Sequence, residues 1–225
     1  MTVSMVSNPD AKVPFLKKPL HIGYCVIFGL FFLYTGATTP DHLNWLLENA
    51  LSLSLVILLA SFYNIFRFSD RSYTLILVFL LLHMYGSQYQ YADNPLGEWL
   101  QETYSLSRNH YDRIVHFSFG LLLAYPMHEV LLRSFHVKKL LSYILPVEFT
   151  LSFSTLYELL EWSVADLAFE GSEQGLDYLG AQGDVWDAQK DVALALTGAL
   201  LAMSVTYILK RRKLKATHSP AKTRE

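Results

Sequence analysis

Six apolar stretches, most of them close to 20 residues or longer, make up most of this chain. They cover about residues 20–38, 44–66, 73–90, 111–131, 140–163 and 188–209. A helix needs about 20 apolar residues to cross the hydrocarbon core of a membrane. Since 52% of the residues are hydrophobic and only 17% are charged, the composition also favours a membrane protein. We therefore expect an all-α, polytopic membrane protein built as a bundle of six transmembrane helices.

The basic residues predict how this bundle is oriented. Of the 18 Lys and Arg residues, all except Arg108, Arg113 and Lys190 fall in segments on one side of the bundle. Cytoplasmic segments retain basic residues, so this side is predicted to be cytoplasmic and to hold both termini. The chain then comprises a cytoplasmic segment 1–19, a transmembrane domain 20–209 and a basic cytoplasmic tail 210–225. The longer loops, about 91–110 and 164–187, would lie outside.

Ionisable residues recur near the outer ends of these apolar stretches. From the second stretch to the sixth they are Glu48, His83, Asp112, His116, Glu158, Glu161, Asp187 and Asp191. A charge at the centre of a membrane helix costs about 2.5 to 3.5 kcal/mol. Helical spacing places Asp112 and His116 on one face. The grouping at one depth therefore predicts a polar site within the outer third of the membrane.

Carboxylates and imidazoles at one depth suit two kinds of chemistry. They can ligate a divalent cation such as Zn²⁺ or Mn²⁺, or they can share protons as an acid–base network. The candidate metal ligands are Asp112, His116, Glu158, Glu161, Asp187 and Asp191, with His83 as a further possibility. The candidate catalytic residues are His116 and Glu158. Simpler structural roles remain open for several of them. The carboxylates of Asp112 and Asp187, for example, would also be stabilised by the positive N-terminal end of a helix.

Three classes of function are compatible with this pattern. The first is a membrane-embedded enzyme acting on a lipid or lipid-linked envelope substrate, with membrane lipids as partners. The second is a small proton- or ion-coupled transporter or permease, for which Glu129 and Glu148 would extend the polar path. The third is a structural protein without chemistry. In the fifth stretch, the polar stripe of Glu148, Ser152, Thr155 and Glu158 is expected to face other helices or water.

Several other functions are not indicated. The chain contains no H-E-x-x-H, Walker A, G-x-S-x-G, C-x-x-C or dinucleotide-binding motif. The dense basic run Lys210–Lys215 continues the last apolar stretch and is typical of a topology anchor with affinity for anionic lipid. We therefore expect no nucleic-acid partner.

Three motifs carry a resemblance to a known family. They are RNHYDR (108–113) leading to His116-Phe117, YELLEW (157–162) and LGAQGDVWDAQ (179–189). Together they are similar to the signature of the YjdF family of bacterial inner-membrane proteins, over about residues 20–210. The resemblance implies a multi-pass protein of the bacterial inner membrane and little about its activity. One departure is His128-Glu129, where the family leads us to expect Arg-Glu.

A shorter element resembles a second group of membrane proteins. The segment 112–117 (DRIVHF) has the form of an element found in VanZ-type proteins, which are associated with glycopeptide-antibiotic resistance and the cell envelope. This resemblance implies a role in the envelope.

Overall fold

The fold consists of helices throughout the part of the chain that the structure describes. The computed structural model describes residues 13–167, 170, 172, 175 and 178–217, of which 216 and 217 by their backbone alone. It contains α1 (Pro19–Thr38), α2 (His42–Phe62), α3 (Asp70–Gln88), α4 (Pro95–Tyr104), α5 (Tyr111–Arg133), α6 (Leu141–Leu167) and α7 (Asp187–Thr217). A 3-10 turn at Phe15–Lys17 precedes α1. The predicted all-α fold is confirmed, while parts of the predicted segments 1–19, 164–187 and 210–225 lie outside the described residues.

All six apolar stretches form helices, and four of these helices are long and apolar enough to cross a membrane. These four are α1, α2, α5 and the part of α7 from Asp187 to Lys215. Helices α3 and α6 are long enough, but they carry more polar residues, and neither contains an equally apolar stretch within the described residues. The structure therefore supports a membrane protein with four candidate spans.

Helix α4 lies where the sequence predicted a loop, and that prediction was wrong. The Asn94 side chain accepts hydrogen bonds from the backbone N–H groups of Leu96 and Gly97, and Pro95 occupies the first turn. An Asn cap followed by Pro is a strong start signal for a helix. The ten residues of α4 are too few to cross a membrane, so α4 covers one end of the bundle instead.

The two ends of the bundle differ in composition. One end, here called the loop end, carries α4, the α4–α5 connection and residues Gly180–Trp186. The opposite end, here called the basic end, carries the start of α1, the α2–α3 and α5–α6 connections and the last turns of α7. Helices α5 and α7 pack closely along the centre, where Ala124, Ala199 and Met203 are buried together.

Polar groups at the basic end are used to cap and join helices. The Glu129 carboxylate accepts hydrogen bonds from Ser69 N (2.9 Å), Ser69 Oγ (2.8 Å) and Ser72 Oγ (2.5 Å), and it pairs with Arg133. Glu129 therefore caps the start of α3. His128, at the departure from the family pattern, has Nδ1 2.6 Å from the Ser142 carbonyl oxygen and so joins α5 to α6.

Candidate functional site

Four of the predicted site residues meet at the loop end. Asp112 lies in the first turn of α5 and His116 one turn later, while Glu158 comes from α6 and Asp191 from the second turn of α7. The Nε2 atom of His116 lies 3.4 Å from Asp112 Oδ1 and 3.5 Å from Glu158 Oε1. Ligand atoms of Asp112, His116 and Asp191 all lie within 4.8 Å of one another. We call these four residues the His116 cluster.

The His116 cluster is buried but its hydrogen bonding is incomplete. His116 is 8% exposed and Asp191 only 2% exposed. Among the described residues, neither Asp191 Oδ1 nor Glu158 Oε1 has a hydrogen-bond partner. Leaving a buried carboxylate oxygen without a partner is costly, and native proteins do so rarely. The cluster therefore presents unsatisfied acceptor atoms to a shared space.

Three other predicted site residues lie at the same end of the bundle but outside the cluster. The Asp187 carboxylate pairs with Arg108 and with Arg113 Nη2, the latter at 3.2 Å. Both ring nitrogens of His83 are engaged, with Nε2 3.0 Å from the Glu48 carbonyl oxygen and Nδ1 2.5 Å from Tyr91 Oη. Glu161 lies one turn beyond Glu158, half-buried, and outside the group of ligand atoms.

Glu48 and Tyr157 were not expected to pair. The Glu48 side chain is 3% exposed, and its Oε2 atom accepts a hydrogen bond of 2.6 Å from Tyr157 Oη. Tyr157 directly precedes Glu158, so this bond fixes the start of the acidic turn of α6 against α2. Sequence spacing offered no signal for the pair, because the two residues are 109 positions apart.

The loop end also holds an ion-pair network that sequence reasoning missed. It joins Arg108, Arg113 and Lys190 to Asp184 and Asp187. The Asp184 Oδ2 atom lies 2.5 Å from Lys190 Nζ and 2.6 Å from Arg113 Nη2. The hydrogen bond from Lys190 is the largest cause holding the pKa of Asp184 well below its ordinary value. The sequence held one signal for this network: Arg108, Arg113 and Lys190 are the three basic residues that lie outside the basic segments.

Two of the three motifs bind each other directly. Arg108 donates to the carbonyl oxygens of Ala181 (2.9 Å) and Gly180 (3.0 Å). Asn109 N donates to Gln182 Oε1 (3.0 Å), and the Asn109 side chain accepts a hydrogen bond from the backbone N–H of Tyr111, the first residue of α5 (2.9 Å). The motifs 108–113 and 179–189 thereby hold the starts of α5 and α7 together, which brings Asp112 and Asp191 into one cluster.

A cavity of about 440 Å³ adjoins the His116 cluster between α2, α3, α5 and α6. Asp112, His116, His83, Tyr91 and Tyr157 line it at the loop end. Apolar side chains line the remainder, down to Leu123 and Met127 on α5. The cavity therefore has one polar end and one long apolar part.

The polar stripe of α6 does not face the bundle. Glu148, Ser152 and Thr155 are exposed, and Glu158 alone turns towards the His116 cluster. That the stripe faces other helices or water therefore stays a prediction for these three residues, which lie on the surface of the bundle. Among the described residues, the polar surface therefore does not continue from the cluster along α6.

Comparisons with known proteins agree with the membrane fold. A family model described as "Predicted membrane protein (DUF2238)" matches residues 20–212. The chain belongs to this family. It is similar to the inner membrane protein YjdF of Escherichia coli strain K12, with 38% identity over 186 residues, covering 81% of this chain and 87% of that protein. The family resemblance seen in the three motifs is thus confirmed. No solved structure matches the chain.

Proposed function

We propose that this protein is a membrane-embedded enzyme that uses a divalent cation to act on a lipid or lipid-linked envelope substrate. The observation that carries the proposal is the His116 cluster, in which three helices present buried acceptor atoms to one space at the polar end of a cavity. A polar site inside a largely apolar pocket is the usual form of a small-molecule site.

The distances within the cluster suit a shared cation better than direct hydrogen bonds. Hydrogen bonds to charged groups are about 2.7 to 2.9 Å long, whereas His116 Nε2 lies 3.4 and 3.5 Å from its two carboxylate oxygens. Two ligand atoms bound tetrahedrally to Zn²⁺ at about 2.1 Å are separated by roughly 3.4 Å. One imidazole with two or three carboxylates is a donor set that Zn²⁺ or Mn²⁺ accepts.

The residues of the cluster have different proposed roles. Asp112, His116 and Asp191, whose ligand atoms all lie within 4.8 Å of one another, would hold the cation. A bound cation polarises a carbonyl or phosphoryl oxygen and makes a bound water a stronger nucleophile. Glu158 faces His116 from α6. It would accept the proton that this water loses as it attacks an ester or phosphoester bond of the substrate, and it would return that proton to the leaving oxygen as the bond breaks.

The proposed membrane arrangement has six spans, with both termini in the cytoplasm of a bacterial cell and the loop end outside. Support comes from the inner-membrane relative and from the basic residues, which favour the cytoplasm for the basic end. The three basic residues at the loop end are all paired with Asp184 or Asp187. Their charges are balanced locally, so they do not oppose this orientation.

Two observations favour an enzyme over a transporter. Glu129 is bound by Ser69, Ser72 and Arg133 as a helix cap, and Glu148 lies on the exposed surface of α6. Neither residue extends a polar path from the His116 cluster to the basic end. A structural role alone would leave unexplained why carboxylate oxygens of Glu158 and Asp191 are buried without partners.

The proposal is tested by measuring the metal content of the purified protein. We expect near-stoichiometric Zn or Mn in the native chain and its loss from folded His116→Gln and Asp191→Asn variants. Glu148→Gln is the matched control, because Glu148 is a carboxylate of the same membrane domain that lies outside the cluster. This control should keep both the metal and the thermal stability of the native chain.

Turnover is measured in the same preparations with total bacterial lipid extract as the substrate. Metal and turnover lost together in both cluster variants, and kept in Glu148→Gln, is the expected outcome. A native chain that binds no metal, with both cluster variants still folded, would overturn the metal-dependent mechanism. Loss of function in Glu148→Gln would instead favour transport through α6.

A further inference from the structure

We infer that the cavity is a binding site for one acyl chain of a membrane phospholipid, which enters sideways between α2 and α6. This inference rests on the proposed function, since it names the lipid that would bring its polar part to the His116 cluster. Three features of the cavity favour an acyl chain: its lining, its depth and its open side.

The lining suits a hydrocarbon chain. Below its polar end, the cavity is walled by Leu55 on α2, Leu80 on α3 and Phe119, Leu123 and Met127 on α5. Asp112 and His116 are the only charged or imidazole side chains of α5 that reach it among the described residues. Its volume of about 440 Å³ falls within the range of about 300 to 1,000 Å³ for small-molecule sites.

The depth of the cavity matches one leaflet of a membrane. Its lining on α5 runs from Asp112 to Met127, and the part from His116 to Met127 extends roughly 16 Å at 1.5 Å per residue. Half of a hydrocarbon core about 30 Å thick is about 15 Å. An acyl chain in the cavity would therefore extend from the depth of the cluster to the middle of the membrane, parallel to its neighbours.

The side of the cavity between α2 and α6 is open. Helix α2 packs on α1 and α3, whereas α6 packs on α5 and α7, so α2 and α6 border the cavity without an extensive contact between them. The apolar residues at this border are half exposed, with Leu51 at 48%, Phe153 at 50%, Leu156 at 54% and Leu160 at 51%. In a membrane these side chains meet lipid.

The hydrogen bond between Glu48 and Tyr157 marks the upper limit of this opening. It joins α2 to α6 at the loop end, beside the His116 cluster. The opening therefore lies below it, at the depth of acyl chains, and a lipid can slide its chain in while its head group stays near the polar end. An aqueous ligand would have to cross hydrocarbon to use the same entrance, which disfavours it.

The test is photo-cross-linking to a phospholipid in vesicles. The full chain is reconstituted into phosphatidylethanolamine and phosphatidylglycerol vesicles that contain a phosphatidylethanolamine with a diazirine midway along one acyl chain. We expect cross-links to map to Phe119, Leu123 or Met127, which lie inside the cavity. Cross-links confined to exposed residues of α1 and α6, as for a lipid at the outer surface, would overturn the inference.

A pair of variants on one helix separates cavity binding from surface contact. Ser154 is buried, lines the cavity and has no hydrogen-bond partner for its hydroxyl among the described residues. Ser154→Phe would fill the space without removing a hydrogen bond, and we expect cavity cross-links to fall about tenfold or more. Ser152→Phe places the same ring on the exposed face two residues away and should leave them unchanged.

Further measurements keep the outcomes distinct. If Ser154→Phe does not fold, Ser52→Phe fills the cavity from α2, where Ser52 is also buried. Equal cavity cross-linking in the cavity-filling and control variants would refute the acyl-chain site. Metal bound normally without cavity cross-links refutes this inference alone, whereas cavity cross-links in a chain that binds no metal leave the site standing and refute the proposed metal enzyme.

Discussion

Two groups of acidic residues at the loop end differ in what neutralises them. Asp184 and Asp187 have Arg108, Arg113 and Lys190 as partners. The carboxylates of the His116 cluster share a single imidazole. Since buried charges are paired or coordinate metals, the first group is complete as it stands, whereas the second leaves oxygens of Glu158 and Asp191 without hydrogen-bond partners among the described residues.

His110 gives the ion-pair network a pH dependence. Burial, followed by the charges of Arg113 and Arg108, lowers the pKa of His110 below its ordinary value. The Nδ1 atom of the neutral ring lies 3.1 Å from Arg113 Nη1, which donates to it. Because protonation is easier in the unfolded chain, the stabilisation is complete above about pH 6.5 and is lost as the pH falls through the folded pKa.

We therefore expect the Tm of the native chain to fall more between about pH 7.5 and about pH 5 than that of His110→Gln. The Gln side chain keeps an acceptor for Arg113 but does not titrate. Other titrating groups affect both proteins equally, so the difference between the two slopes isolates His110. Parallel pH profiles would contradict this assignment.

At the residue scale, the sequence could predict members of the site but not their partners. Asp112 and His116 share a helix face through their spacing alone, and Glu158 and Asp191 lie one turn inside apolar stretches. Asp187 does not join the His116 cluster because it pairs with Arg108, which lies 79 positions away in the sequence. Periodicity within one helix carries no information about such a contact, because residues from distant parts of the chain form it.

At the scale of helices, apolar length predicted the six long helices but not α4. Its residues 95–104 are few and amphipathic, so the segment lacks the uniform apolar character of a span. The Asn94-Pro95 pair was the signal that could have found it. The close packing of α5 on α7 was also beyond the apolar pattern, because it depends on glycines rather than on large side chains.

The crossing of α5 and α7 depends on direct backbone contact. A β-carbon on Gly120 would collide with the Ala195 carbonyl oxygen, and one on Gly198 with that of Phe117. Small residues at such positions allow membrane helices to approach closely. We expect Gly120→Ala or Gly198→Ala to lower the free energy of unfolding by about 1 to 3 kcal/mol, since neither backbone can yield.

Thermal unfolding in detergent measures the effect. Gly29→Ala is the control, because a β-carbon there meets no atom within 4 Å and Ala favours a helix by about 0.5 to 1 kcal/mol over Gly. The control should match or exceed the native Tm. If Gly120→Ala and Gly29→Ala had the same Tm, the backbone contact would not limit the approach of α5 to α7.

At the scale of the whole molecule, the orientation of the bundle decides which side each loop occupies. With the basic end in the cytoplasm, residues near Ser107 at the loop end lie outside the cell, and residues near Ser134 at the basic end lie inside. In the opposite orientation, with the loop end in the cytoplasm, the two positions would exchange sides. The two orientations therefore predict opposite results for the same pair of residues.

Cysteine labelling distinguishes them. In a Cys25→Ser background, Ser107→Cys and Ser134→Cys each place one thiol at an exposed position in a connection between helices. We expect a membrane-impermeant maleimide to label Ser107→Cys in intact spheroplasts and Ser134→Cys only after permeabilisation. The reverse pattern would favour the opposite orientation. It would move the His116 cluster to the cytoplasmic leaflet, so the enzyme would have to draw its lipid substrate from that leaflet.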